Sequence, residues 1–339
     1  MNDAAVALAY KHCERITRSN ARNFYYGIRL LPPRKRAAMC ALYAMARRID
    51  DIGDDAFASS QAGSAGVEGA LQSLTSVRTS LDLLAKAVAG GTANGNAAGS
   101  GPPPGDPVLM ALADAARHYP LPVSALYELV EGCEWDLSGK RYETFEELVE
   151  YCRRVAGTIG RLSLAIFGSS EPQRAEGLAD SLGVALQLTN ILRDIVEDRD
   201  VYGRVYLPRC DLARFDIGPN LEGRDEDLIA LVCFESGRAE EWYQRGLPLL
   251  DLLDQRSRAC TGAMAGIYWR LLSKIRLSPA SVLEKRVSLT PGQKASVAAL
   301  ALLSRPRRPR AQTGRTQTGR TQTGRTQTGR TQTGRGSAA

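Results

Sequence analysis

The stretch Gln187-Leu188-Thr189-Asn190-Ile191-Leu192-Arg193-Asp194-Ile195-Val196-Glu197-Asp198 carries two stripes of opposite chemistry. At about 100° per residue, Gln187, Asn190, Asp194 and Asp198 line one side of a helix, and Val184, Leu188, Ile191 and Ile195 line the side next to it. The segment is therefore an amphipathic helix that buries its apolar stripe and ends in acid. About 140 residues upstream, Asp50-Asp51-Ile52-Gly53-Asp54-Asp55 ends a second helix, in which Tyr43, Arg47, Asp50 and Asp54 stand at i, i+4, i+7 and i+11. Each cluster places two aspartates one turn apart.

A single aspartate pair at a helix end is ordinarily a solvated surface. Two pairs, each with a matched polar stripe, point to facing helices that hold Mg²⁺ and present it to a diphosphate. Mg²⁺ is a hard cation that takes carboxylate oxygens, keeps several waters and is completed by substrate phosphates. The metal-ligand candidates are Asp50, Asp54, Asn190, Asp194 and Asp198, with Gln187 on the same stripe. Arg47, Arg48 and Arg193 serve either as ion-pair partners within their helices or as receivers of diphosphate oxygens.

The rest of the chain fits an all-α fold. Helical period runs through 3–18, 20–31 leads into Pro32-Pro33 and a helix through Arg48, and further helices are expected at 67–88, 108–118, 122–137, 144–165, 172–199, 226–253 and 257–275. Thr144 followed by Glu147 is a capping-box signature. Residues 89–107, rich in Gly, Ala, Ser, Asn and Pro, read as a flexible surface insertion. Period-2 alternation is not evident, and long helices with short connections favour one bundle over two domains.

Composition narrows the class. Seven cysteines at 13, 40, 133, 152, 210, 233 and 260 are scattered without CxxC spacing, which predicts reduced thiols in a cytosol and no zinc site. The net charge of +7 is misleading, because residues 305–339 hold nine arginines and no acid, and residues 1–304 are close to neutral. The chain thus divides into a globular domain, 1–304, and a tail, 305–339, of Arg-Thr-Gln-Thr-Gly repeats. That tail has too few apolar residues for a core and is expected to be disordered. Its arginines suit weak attraction to anionic lipid headgroups; nucleic acid is not an expected partner. No apolar run reaches the 18 or so residues of a membrane span, which predicts a cytoplasmic protein, peripheral to the membrane at most.

These motifs resemble the squalene/phytoene synthase family of head-to-head isoprenoid condensing enzymes. The resemblance covers about residues 10–290 and rests on Arg47 to Asp54, on Asp136 with Arg141-Tyr142, on Tyr151 to Gly160, on Gln187 to Asp198, and on Gly203-Arg204-Val205-Tyr206-Leu207-Pro208. It implies a helical bundle around a deep cavity, with the two aspartate motifs facing each other at its mouth. Two or three Mg²⁺ bound with diphosphate are the implied cofactors, and NADPH is not needed. Asp50, Asp54, Asp194 and Asp198, with Tyr43 and Arg47, are the implied catalytic set. Tyr151 and Tyr268 correspond to family tyrosines near the reacting carbons, and Arg22, Phe24 and Arg286 to contacts with diphosphate or chain. Asp136, Gln187, Asn190 and Arg193 complete the substrate-binding set. Ala156 and Gly160, one turn apart, either leave room for a polyprenyl chain or permit close helix packing. Asn20-Ala21 departs from the His-Ser that often stands ahead of Arg22.

The implied reaction joins two farnesyl diphosphates into presqualene diphosphate, as in bacterial hopanoid pathways. The alternative is phytoene synthesis from two geranylgeranyl diphosphates, as in carotenoid pathways. A non-catalytic assembly factor of the same fold is the alternative of another class, against which the four retained aspartates argue. Downstream isoprenoid enzymes are natural partners of either product.

Overall fold

Alternation of apolar and polar residues at helical spacing becomes fifteen α-helices among the residues that the computed structural model describes, 3–21, 23–58, 63–93 and 105–303, and no strand lies among them. In chain order they are α1 (Asp3–Asn20), α2 (Tyr25–Ile28), α3 (Pro33–Ala58), α4 (Gly63–Ala93), α5 (Pro107–His118), α6 (Val123–Leu137), α7 (Phe145–Cys152) and α8 (Thr158–Phe167). The second half continues with α9 (Pro172–Arg193), α10 (Ile195–Tyr202), α11 (Arg209–Arg214), α12 (Asp225–Gly246), α13 (Gln255–Leu277), α14 (Ser281–Glu284) and α15 (Pro291–Leu303). One buried apolar cluster runs through them, from Ala9 on α1 to Val297 on α15. Helix α3 packs on α1, α4, α5 and α6, and α9 packs on α8, α12 and α13.

Several expected elements differ in detail. The helix expected at 144–165 is interrupted by a π turn, Arg153–Gly157, between α7 and α8. The one expected at 172–199 breaks at Asp194, whose backbone (φ −105°, ψ 10°) leaves helical geometry. The backbone N–H of Asp194 still donates to Asn190 and that of Asp198 to Asp194, at 2.9 and 2.8 Å, so the aspartates keep their one-turn spacing across the break. The helix expected at 226–253 stops at Gly246 and passes into a 3₁₀ segment, Leu247–Leu252, where Pro248 offers no N–H. Helix α15 was not anticipated, because the run Val297 to Leu303 is apolar throughout and shows no period.

The stretch 89–107, expected as a flexible insertion, is helical at both of its ends. Helix α4 continues to Ala93, and α5 begins at Pro107 behind an Asp106 cap that accepts the N–H groups of Val108 and Leu109 at 2.9 and 3.2 Å. Asp106 also takes both guanidinium nitrogens of Arg48, at 2.6 and 2.9 Å, which ties this cap to α3. The remainder of the insertion, Arg22 and the repeat tail lie outside the described residues. All seven cysteines are free thiols; Cys210 and Cys233 are exposed and the other five buried. No helix among the described residues is long and apolar enough to cross a membrane.

Candidate active site

Four structural pieces enclose a cavity: α3, the π turn with α8, α9, and α13. Its wall is largely apolar, with Met39, Leu42, Ile159, Leu164, Phe167 and Leu186 among the lining residues, and it encloses about 1190 Å³ of empty space, open mouth included. Asp50, Gln187 and Asn190 stand at one end and Met39 and Phe167 at the other. Asp50 lies eleven residues beyond Met39 on α3, a rise of roughly 16 Å along that wall.

The polar stripe of α3 forms one side of that end. Tyr43 and Asp50 face the cavity, while Arg47 turns aside to pair with Asp51 at 2.5 Å. Gly53 interrupts a good helical sequence for a reason of space. A Cβ there would stand 2.7 Å from the sulfur of Cys133, so its absence lets α6 approach α3. Asp136, one turn beyond Cys133 on α6, is thereby carried in beside Asp50 and Asp54.

The other side is built by α9 and α10. Asp194 is pinned between Arg193, which engages both its oxygens, and Arg286, whose Nε lies 2.8 Å away. Arg286 also reaches Glu197 at 3.3 Å. Asn190 donates to Gln187 at 3.4 Å, while its own Oδ1 is buried with no hydrogen-bond partner.

Arg204 joins the two sides. Its guanidinium lies 3.4 Å from Asp54 Oδ1 and 3.3 Å from the Gly53 carbonyl, close enough to Asp136 and Asp198 to oppose the rise of their carboxyls. Behind it, Asp136 accepts hydrogen bonds from Tyr151 at 2.9 Å and Tyr206 at 3.1 Å. The rings of Tyr142, Tyr151 and Tyr206 pack against one another, with Tyr151 and Tyr206 stacked at 5.1 Å. Phe24 faces the cavity, stacks on Tyr268 at 5.5 Å and lies 6.4 Å from Tyr43.

The electrostatics are those of an over-acidic site. Asp50 opens onto the cavity but is ringed by protein elsewhere; this desolvation, reinforced by Asp54, pushes its carboxyl up to about 7. Burial, reinforced by Asp194, pushes Asp198 up to about 8. Burial likewise raises Asp136 to about 6, against the pull of Arg204 and the two tyrosine hydroxyls. Carboxylates from two helices that disfavour their own charge, beside an orphaned amide oxygen, form a hard-oxygen donor set that suits divalent metal ions. Among the described residues no three acidic, histidine or cysteine side chains gather closely enough to hold a metal ion by themselves, and Mg²⁺ is normally completed by waters and phosphate oxygens with one or two carboxylates.

Most of the anticipated residues thus converge. Asp50, Asp54, Asp194, Asp198, Asn190, Gln187, Arg193 and Arg286 meet at the acidic end, and Phe24, Tyr43, Ala156 and Gly160 on the cavity wall. Gly160 lines the cavity, and a Cβ on it would meet the Ala179 carbonyl at 2.5 Å, so its small size also permits close packing of α8 on α9. Tyr151 stands one layer back, on Asp136, and Tyr268 sits behind Phe24. Arg204 and Tyr206 were not singled out as site residues, although the stretch 203–208 held them in view.

Comparison with known proteins agrees with this geometry. Residues 17–293 match the squalene/phytoene synthase family. The chain is 45% identical over 302 residues to phytoene synthase from Mycobacterium bovis, covering 87% of this chain and 91% of that protein. It is 34% identical to phytoene synthase from Arthrospira platensis, covering 87% and 93% respectively. Among solved structures, a dehydrosqualene synthase in complex with ligand superposes with a TM-score of 0.71 at 27% identity, covering 87% of this chain and 96% of that one. Squalene synthase HpnC from Alicyclobacillus acidocaldarius superposes with a TM-score of 0.64 at 27% identity, covering 80% and 94%. The chain belongs to the squalene/phytoene synthase family of head-to-head prenyltransferases.

Proposed function

We propose that this protein joins two geranylgeranyl diphosphates head to head into phytoene, with Mg²⁺ as cofactor. The observation that carries the reaction type is the pairing of two aspartate helices at the acidic end of a largely apolar cavity. The identity to relatives named phytoene synthase supports the twenty-carbon substrate.

Asp50, Asp54, Asp194, Asp198 and the Asn190 amide oxygen would hold the metal ions. The chemistry these supply, when bound with diphosphate, is neutralisation of the leaving group as the allylic C–O bond breaks. Arg193, Arg204 and Arg286 already line this end and take up diphosphate oxygens in place of the carboxylates they now pair with. Phe24 and Tyr43 line the cavity, and their rings would stabilise the positive charge that develops on the allylic carbons. Apolar walls keep water from quenching that cation to an alcohol, and Ala156 and Gly160 leave space for the second chain. Its double bond attacks the cation, and proton loss closes a cyclopropylcarbinyl diphosphate. A second ionisation, rearrangement and proton loss give the hydrocarbon without a reductant.

A second reading is favoured by the superposition on dehydrosqualene synthase: two farnesyl diphosphates, ending at a thirty-carbon hydrocarbon or at presqualene diphosphate. Purified protein incubated with Mg²⁺ and each prenyl diphosphate separately, without NADPH, followed by mass spectrometry, distinguishes them. A C40 hydrocarbon supports the proposal, and a C30 product assigns the shorter substrate. No product from either would overturn the assignment.

A further inference from the structure

The π turn at Arg153–Gly157 is the irregularity nearest the site that the reaction leaves unexplained. Its signature bond runs from the Thr158 N–H to the Arg153 carbonyl, five residues back. Such a turn absorbs one residue, and the phase of everything after it rotates by about 100°. In an unbroken α-helix, Ile159 and Ser163 would lie about 80° and 120° around the axis from Tyr151. With one residue absorbed, both come to within about 20° of it. This single defect lets one helical rod present Tyr151 to Asp136 at the acidic end while Ile159 and Ser163 line the cavity.

A π turn is less stable than the α turn it replaces and persists where neighbours over-determine it. Here the neighbour is Asp180 on α9, 7% exposed. Its Oδ2 lies 2.7 Å from Arg153, the first residue of the π turn, and its Oδ1 lies 3.3 Å from Arg161, on the far side of it. These arginines are eight residues apart, about 80° out of phase in a plain α-helix and about 20° with the defect in place. The two ion pairs therefore suit the π form better than the α form. Arg161 is held from behind by Glu128, which accepts from both of its terminal nitrogens, at 3.0 and 2.5 Å. Backbone contact closes the seam: a Cβ on Gly157 would stand 2.5 Å from Asp180 Oδ1, and one on Gly183 would stand 2.5 Å from the Ala156 carbonyl.

We infer that Asp180 is a positioning residue: by bridging Arg153 and Arg161 it holds the π turn, which sets Tyr151 in register with the cavity wall. The inference rests on the reading of this cavity as the prenyl site. It touches no metal ligand and no reacting atom, so its effect is on geometry at the reacting carbons and not on diphosphate affinity.

The test compares wild type, Asp180→Ala and Asp180→Asn as full chains, with two readouts. In the free proteins, hydrogen exchange of the backbone amides of 155–161 should quicken in both variants, less in the isosteric Asn variant. With the prenyl diphosphate that wild type turns over, Asp180→Ala should lose about tenfold or more in kcat, since misplacement by an ångström carries costs of that order. Its KM should stay within about twofold, and the fraction of prenyl alcohol among the products should rise as the cation is met by water. Asp180→Asn should recover part of both losses. Unchanged exchange over 155–161 in a folded variant overturns the inference, as do wild-type kcat and product ratio despite quickened exchange. Should wild type yield no product from either substrate, the prenyl reading fails, and the exchange comparison alone decides whether Asp180 holds the turn.

Discussion

Asp194 is held by Arg193 and Arg286, and Asp54 by Arg204, so each aspartate motif has a guanidinium counter-charge within reach. Exchange of those guanidinium groups from carboxylate to diphosphate is the residue-scale event the account requires. Asp54→Asn and Asp194→Asn keep size and shape but remove the charge that holds metal ions. Each should lower turnover by at least about 10²-fold, the scale of losing a preorganised electrostatic group, with helical circular dichroism unchanged. Near-normal turnover in either variant removes that residue from the site. The aspartates, Gln187 and Asn190 were legible in the sequence because helical spacing alone puts them on one stripe. Arg204 and Tyr206 were not, because they sit in the non-helical stretch 203–208, where no period says which way a side chain points.

At the scale of elements, the helices were legible wherever an apolar stripe recurs, and their breaks were not. The π turn changes the phase of a helix by one residue, and the break at Asp194 alters one backbone position; neither disturbs the apolar period enough to be read. The pairing of Tyr151 with Asp136 depends on α6 and α7 meeting in space, and no spacing rule within one element supplies it. Helix α9 meets the π segment backbone to backbone, so Gly183→Ala should destabilise the fold by about 1–3 kcal/mol, the usual cost of overpacking, as read by chemical denaturation. Helix α12 carries a different liability. Glu235 and Asp211, both buried, share Arg238 at 2.9 and 2.5 Å, two carboxyls on one guanidinium. Burial, reinforced by Asp211, pushes the Glu235 carboxyl up to about 8, above its unfolded value of about 4.3. The folded state thus binds the proton more tightly, so this group's contribution is full below the unfolded value and is lost as pH rises towards 8. Glu235→Gln should flatten the fall in melting temperature between pH 5 and pH 8 relative to wild type; parallel profiles would contradict this.

On the scale of the molecule, one helical bundle surrounds the cavity among the described residues, and the excess basic charge of the sequence belongs to residues 305–339. Residues 1–304 hold 35 basic against 37 acidic side chains, whereas the repeats from Arg305 onward add only arginine to a polar sequence. Removal of 305–339 should therefore leave turnover of dispersed substrate unchanged; a large loss would make the tail part of the enzyme. The bundle itself was legible from helical period and motif order, whereas the length of its cavity was not, since Met39, Phe167 and Asp50 come from separate helices whose separation is a property of packing. The central claim is that two aspartate helices jointly hold metal and diphosphate at the mouth of that cavity. Its most direct test is binding of an unreactive thiolo analogue of geranylgeranyl diphosphate, titrated with and without Mg²⁺ against wild type, Asp54→Asn and Asp194→Asn. Tight binding to wild type is expected only with Mg²⁺, weakened by either substitution. Equal affinity without Mg²⁺, or in both variants with it, would contradict it.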